Sequence, residues 1–179
     1  MVHTELKHAA LLEAIRKKGD PSLASFFGSE SDYFAEPVPF PALVQTRMFR
    51  VVPNDTSEPV DFLFGVDSRT GAAILTSMNA PGVAQVLFAE ADVMNKPGLA
   101  PLAFELIRPR AVALTFVESA GDLPDSTRAA FVAPSQSRQG DGLRLAFQVV
   151  DEDQVLLWEL DLSPTTGRLI TRPLATEAL

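Results

Sequence analysis

Residues 143–172 read LRLAFQVV, DED, QVLLWELDL, SPTTG and RLITR in succession, and their alternation decides the fold. Leu143, Leu145, Phe147 and Val149 recur at a period of two, as do Leu156, Trp158, Leu160 and Leu162, so each run is a strand with one apolar face. Asp151-Glu152-Asp153 and Ser163 to Gly167 supply turn residues between the runs, and a three-strand antiparallel meander is predicted. Parity restricts its register. Pairs whose residue numbers sum to an odd value, such as Phe147 with Leu156 or Phe147 with Trp158, put both apolar sets on one face. Arg144 then stands opposite Glu159 or Asp161 on the other face. An even sum would bury Arg144 among leucines, which an unpaired charge makes prohibitive.

The same signals extend upstream. Leu43 to Val52 and Val60 to Val66 read as strands around the turn-rich PNDTSEP of residues 53–59, and Asp67 to Gly71 forms a hairpin turn leading to Ala72–Met78. Placing Val66 opposite Ala72 brings Phe64 to Ile74. Ala111–Glu118 and Ala129–Ala133 have strand character, whereas 119–128 and 135–142 read as loops, the second being the expected mobile segment. Thr4 is placed to cap a helix running to Lys18, with Leu11, Leu12 and Ile15 on one face and Arg16, Lys17 and Lys18 at its cation-favouring end. Gly19 ends it, and Asp20-Pro21 opens a short helical turn that Gly28 closes. A second main helix enters at Pro81 and carries Val83, Val86, Leu87 and Ala91 at helical spacing toward Met94. Residues 99–107 are a short apolar run that periodicity leaves open between helix and strand. The expected architecture is an α+β domain spanning residues 1–179. It comprises a helical segment (1–28), a proline-rich arm (29–41), and a mainly antiparallel sheet of about six to eight strands (42–179), strongly bent if its apolar faces are to be covered. The N-terminal and central helices pack on one face of that sheet.

Composition narrows the function. Apolar residues make up 46% and charged residues 21% of the 179, which are globular values. A net charge of -8 with no basic stretch argues against nucleic acid, whose affinity comes largely from Lys and Arg at phosphates, and against an anionic membrane surface. The absence of cysteine removes disulfides, thiolate nucleophiles and zinc-thiolate sites. Nothing reaches the roughly 18 consecutive apolar residues of a membrane span, and Met1 to Lys18 scatters its charges where a secretory signal would be uniformly apolar, so a cytoplasmic protein is expected. No G-x-G-x-x-G or Walker-type loop occurs, and no cofactor is expected. Gly28-Ser29-Glu30-Ser31-Asp32 lacks the second glycine and the preceding strand of a nucleophile elbow.

Among individual residues, His3 sits in the terminus and His8 borders the apolar helix face, a structural position for a histidine. Glu30, Asp32 and Glu36 flank Tyr33. The acidic turn 151–153 lacks the glycine and distal glutamate of a calcium loop, so no metal site is expected. Arg108 and Arg110, flanking Pro109, can hold an anion as a pair, although such pairs more often mark a solvated strand entrance. The most suggestive feature is the arm, SESDYFAEPVPFP, in which Tyr33, Phe34, Pro37, Val38, Pro39 and Phe40 form an extended apolar segment of little conformational freedom. Such a segment can lie across a protein partner or a second copy of the chain, giving a homodimer. Its plainer role is a connector packed on its own sheet. Function is therefore expected to be that of a non-catalytic cytoplasmic binding or protein-interaction domain. The alternative is a small carboxylate-using enzyme, of hydrolase or isomerase type, with Asp61, Glu159 or Asp161 as base in a cleft between sheet and helix.

Overall fold

The computed structural model describes residues 4–174, so His3 lies outside the described residues. Helix α1 (His8–Lys18) buries Leu11, Ala14 and Ile15. It starts later than the sequence suggests: Lys7 occupies the cap position without a side-chain cap, and Leu6, packed against the core beneath α1, is held outside the helix. Gly19, at φ 73, ends α1, and Asp20 accepts the Ser22 N–H at 3.0 Å to cap α2 (Pro21–Ala24).

Four strands follow as a sequential antiparallel sheet, β1 (Tyr33–Val38), β2 (Thr46–Pro53), β3 (Phe62–Asp67) and β4 (Ala73–Leu75). The arm thus contains a true strand, paired into the chain's own sheet, where the sequence suggested an extended segment without strand pairing. Pro37 is tolerated because β1 is an edge strand with a neighbour on one side only. The β3–β4 hairpin is also one residue longer than expected, pairing Val66 with Ala73 and Phe64 with Leu75. The cause is the turn, which closes between the Asp67 N–H and the Ala72 carbonyl at 3.0 Å, with Gly71 in the left-handed region at φ 74. Leu75 therefore joins Phe64 and Val66 on the α1 side, while Ile74 points to the opposite face.

The second sheet comprises β5 (Leu114–Phe116), β6 (Ser135–Gln139), β7 (Gly142–Asp151), β8 (Gln154–Leu162) and β9 (Gly167–Pro173). The meander β7-β8-β9 adopts the odd-sum register, with Phe147 opposite Trp158 and Arg144 opposite Asp161. Strands β5 and β6 lie end to end along the other edge of β7. Residues 135–139, expected to be part of a loop, pair with β7 through a tight turn at Gly140-Asp141, Gly140 lying at φ 63. Residues 129–133, expected to be a strand, instead complete a 3-10 turn over 125–130 and leave it without strand pairing. The buried Gln148 side chain holds them, donating to the Ala130 carbonyl at 2.9 Å and accepting the Val132 N–H at 3.0 Å, bonds a neighbouring strand would otherwise make.

Between the sheets lie α3 (Ala80–Phe88), which stops short of Met94, and α4 (Leu99–Ile107), which resolves the open segment as helix. Both are apolar nearly all round, as buried helices are. Met48, Leu63 and Ile74 of the first sheet meet them on one side, and Leu145, Phe147, Trp158 and Leu160 of the second on the other, in one continuous core. A separate core on the outer face of the first sheet joins Phe49, Val51, Phe64 and Leu75 to Phe27 and α1. The α+β antiparallel architecture holds, but in place of one bent sheet with both helices on one face, nine strands among the described residues divide between two sheets, with α1 on the outer face of the first and α3 and α4 between the two.

Candidate functional site

On the face of the first sheet toward α4, the apolar Val38, Met48 and Leu63 give way to charge at Glu36, Arg50 and Asp61. Strand pairing sets Glu36 beside Arg50, and β3 begins one residue after Asp61. The Arg50 guanidinium donates to Asp61 Oδ2 at 2.7 Å and to Glu36 Oε1 at 3.0 Å, and these bonds, Asp61 first, raise its pKa further above the usual arginine value. The Asp61 side chain is only 8% exposed, and its Oδ1 is buried without a hydrogen-bond partner.

The C-terminal end of α4 supplies two more arginines to this region. Arg108 donates to Glu105 at 3.0 Å and lies over the Phe104 ring. Arg110, beyond the intervening Pro109, is near enough to feel the Arg108 charge, but Arg108 is already bonded to Glu105 and Arg110 is not, so the two are not equivalent arms of an anion-holding pair. The half-buried Arg110 guanidinium forms no side-chain ion pair among the described residues, and its Nη1 is buried without a partner. Burial, followed by the Arg108 charge, lowers its pKa from the usual value; Asp61 opposes this through space without bonding to it.

Arg110 lines a cleft of about 420 Å³ whose walls are Val38, Pro39 and Phe40 on one side and Pro101, Leu102 and Glu105 of α4 on the other. A second cleft, of about 520 Å³, opens on the other flank of the same segment. Pro37, Val38, Pro39 and Phe40 border it with Val44 and Thr46, whose Oγ1 is buried and unpartnered. Of the six arm residues singled out in the sequence, Val38, Pro39 and Phe40 thus line both clefts and Pro37 lines the second. Phe34 stands apart at 57% exposure. Tyr33 turns inward instead. Its ring meets Phe27 edge-on at 5.5 Å, its hydroxyl shares a 3.0 Å hydrogen bond with His8 Nδ1, and burial raises its pKa. His8 thereby ties α1 to β1.

The three candidate bases are all engaged by arginine. Asp61 is held by Arg50, Asp161 accepts from Arg144 at 2.7 Å, and Glu159, the other residue that parity allowed opposite Arg144, is taken by Arg172 of β9. Glu159 and Asp161 border neither cleft. Asp32 caps the turn before β1 by accepting the Ser29 N–H, and the acidic residues 151–153 form the β7–β8 turn. Among the described residues, no group of three or more His, Asp or Glu side chains is placed to hold a metal ion, and no helix is long and apolar enough to cross a membrane.

Two buried polar residues beside these features gave no local sign in the sequence. Glu90, past α3, accepts the N–H groups of Val44 and Gln45 at 2.8 and 2.9 Å and so fixes the chain leaving the proline-rich segment. Gln148 anchors residues 130–132, as described above. A lone Glu or Gln in an otherwise apolar stretch is the only clue, and it names no partner. Comparison of the chain with protein-family models, with curated proteins and with solved structures finds no match.

Proposed function

We propose that this chain is a non-catalytic binding or interaction module of the cytoplasm, contacting its ligand or partner through the segment that follows β1. The observation that carries this is the setting of residues 37–42. They stand between two open, mainly apolar clefts, with Val44 at 77% exposure on the rim of one and Phe34, at 57%, exposed further back along β1. Proline at 37, 39 and 41 restricts the segment before anything binds, so little entropy is lost on contact. The acidic composition favours neither nucleic acid nor an anionic membrane as the partner. The alternative enzyme has less support, because each of its candidate bases is already bonded to an arginine and Glu159 and Asp161 border neither cleft.

A photo-crosslinking residue at Phe34 or Val44, introduced in the native host, tests the proposal. Discrete adducts from these positions, with none from Val132, which is as exposed as Phe34, are the expected result. Adducts from Val132 alone would overturn it. Sedimentation of the purified chain identifies a second copy as partner if association appears at high concentration and is lost in Val44→Asp.

A further inference from the structure

We propose that the cleft between residues 38–42 and α4 binds a monocarboxylate with an apolar body, its carboxylate held by Arg110. This rests on the binding role proposed above and names the class of ligand.

Charge and hydrogen bonding both point to Arg110. Three arginines and three carboxylates share this corner of the molecule, yet Arg50 engages Asp61 and Glu36 while Arg108 engages Glu105. Arg110 is left with a half-buried guanidinium and no bonded acceptor among the described residues. Arginine cannot shed its charge, so partial burial without an acceptor is costly unless something else supplies oxygen. A carboxylate in the cleft neutralises that charge in plane, accepting from the guanidinium N–H groups other than the enclosed Nη1.

The walls define the rest of the ligand. Val38, Phe40 and Leu102 offer apolar surface, and the volume of about 420 Å³ falls in the range of small-molecule sites, roughly 300–1,000 Å³. Glu105 lies in the same wall and Glu36 on the adjoining strand, so a dianion such as phosphate would meet like charge where a monoanion meets less. A carboxylate of this kind belongs either to a free organic acid or to the C-terminus of a peptide ending in an apolar residue.

The test is a titration of the full chain, followed by two-dimensional amide NMR, with hexanoate, phenylacetate and N-acetyl-leucine, each beside its primary amide, and with inorganic phosphate. At least one acid is expected to shift the resonances of residues 38–42 and 101–105 and to bind at least about tenfold more tightly than its amide, as expected for losing a charge-assisted bond. Binding by N-acetyl-leucine alone assigns the site to a peptide terminus, and binding by hexanoate or phenylacetate to a free acid. Arg110→Met should abolish the shifts without lowering Tm, because it removes a desolvated, unpaired cation. Arg110→Lys keeps the charge without the planar fork and should weaken binding, which provides a second reading should the methionine variant fold poorly. Acid and amide binding equally, full binding by either variant, binding of phosphate alone, or no response to any acid at millimolar concentration would each overturn the inference. Crosslinks from Phe34 or Val44 that persist alongside such a result would leave the binding role standing without a carboxylate ligand.

Discussion

Glu90 shows how much one side chain can decide in this fold. Its Oε1 accepts both backbone N–H groups of Val44 and Gln45, while Oε2 lies 3.8 Å from Lys96. Glu90→Ala leaves two donors in a nearly closed site without an acceptor, and a loss of about 2–4 kcal/mol is expected. Glu90→Gln keeps an oxygen where both bonds are made and gives up only the long, partly exposed pair with Lys96, worth under about 1 kcal/mol. Urea denaturation of the two variants separates the contributions. A glutamine variant as unstable as the alanine variant would show that charge, rather than the shared oxygen, holds residues 44–45.

At the scale of elements, two effects oppose each other at Gly82 of α3. Alanine is the better helix former by about 1 kcal/mol. A Cβ at this position, however, would collide with the Leu75 carbonyl of β4, and backbone cannot yield without parting α3 from the first sheet. Overpacking of this kind costs about 1–3 kcal/mol, so Gly82→Ala should lower Tm; a variant more stable than the wild type would contradict the close approach. The β7–β8 hairpin makes a smaller, pH-dependent contribution. The bond from Arg144 holds the Asp161 carboxyl below its usual pKa, so the stability it adds is present above the ordinary aspartate range and is lost as pH falls through that depressed value. The pair is partly exposed and screened, so its worth is under about 1 kcal/mol. The stability difference between wild type and Asp161→Asn should thus be seen at pH 6 and close below about pH 4, the reference value for aspartate. The parity of the hairpin was legible in advance because alternation there is strict and the wrong parity buries Arg144, whereas the choice between Leu156 and Trp158 opposite Phe147 was not. For β4 it was not: Ala72, Ala73, Ile74 and Leu75 are all apolar and both faces of that sheet are covered, so parity distinguished nothing. Strand β6 was hidden for the opposite reason, since SQSRQ is exposed throughout and needs no apolar face. Helix α4 hid because a segment buried on every side loses its period.

At the scale of the whole molecule, the candidate site was legible only in pieces. The proline-rich segment drew notice through its composition, and Asp61 and Arg110 were each weak candidates for other roles. Only the path of α4 between the sheets brings Arg110 to that segment and within reach of the Asp61 charge, a placement no local pattern encodes. The same helices also cover the apolar sheet faces that the sequence predicts. Because α3 and α4 pack against both sheets in one core, neither sheet can expose its inner face without opening that core for the other. Unfolding should therefore be one transition. Met48→Ala in the first sheet and Leu160→Ala in the second each remove a fully enclosed side chain and should cost about 2–5 kcal/mol. Trp158 sits in the shared core, its Nε1 without an acceptor, so its fluorescence reports directly on the second sheet. Both substitutions are expected to lower the urea midpoint seen by Trp158 fluorescence together with that seen by far-UV circular dichroism. A Met48→Ala midpoint that falls by dichroism while the fluorescence midpoint stays in place would mean that the sheets unfold separately and that the helices between them belong energetically to one alone.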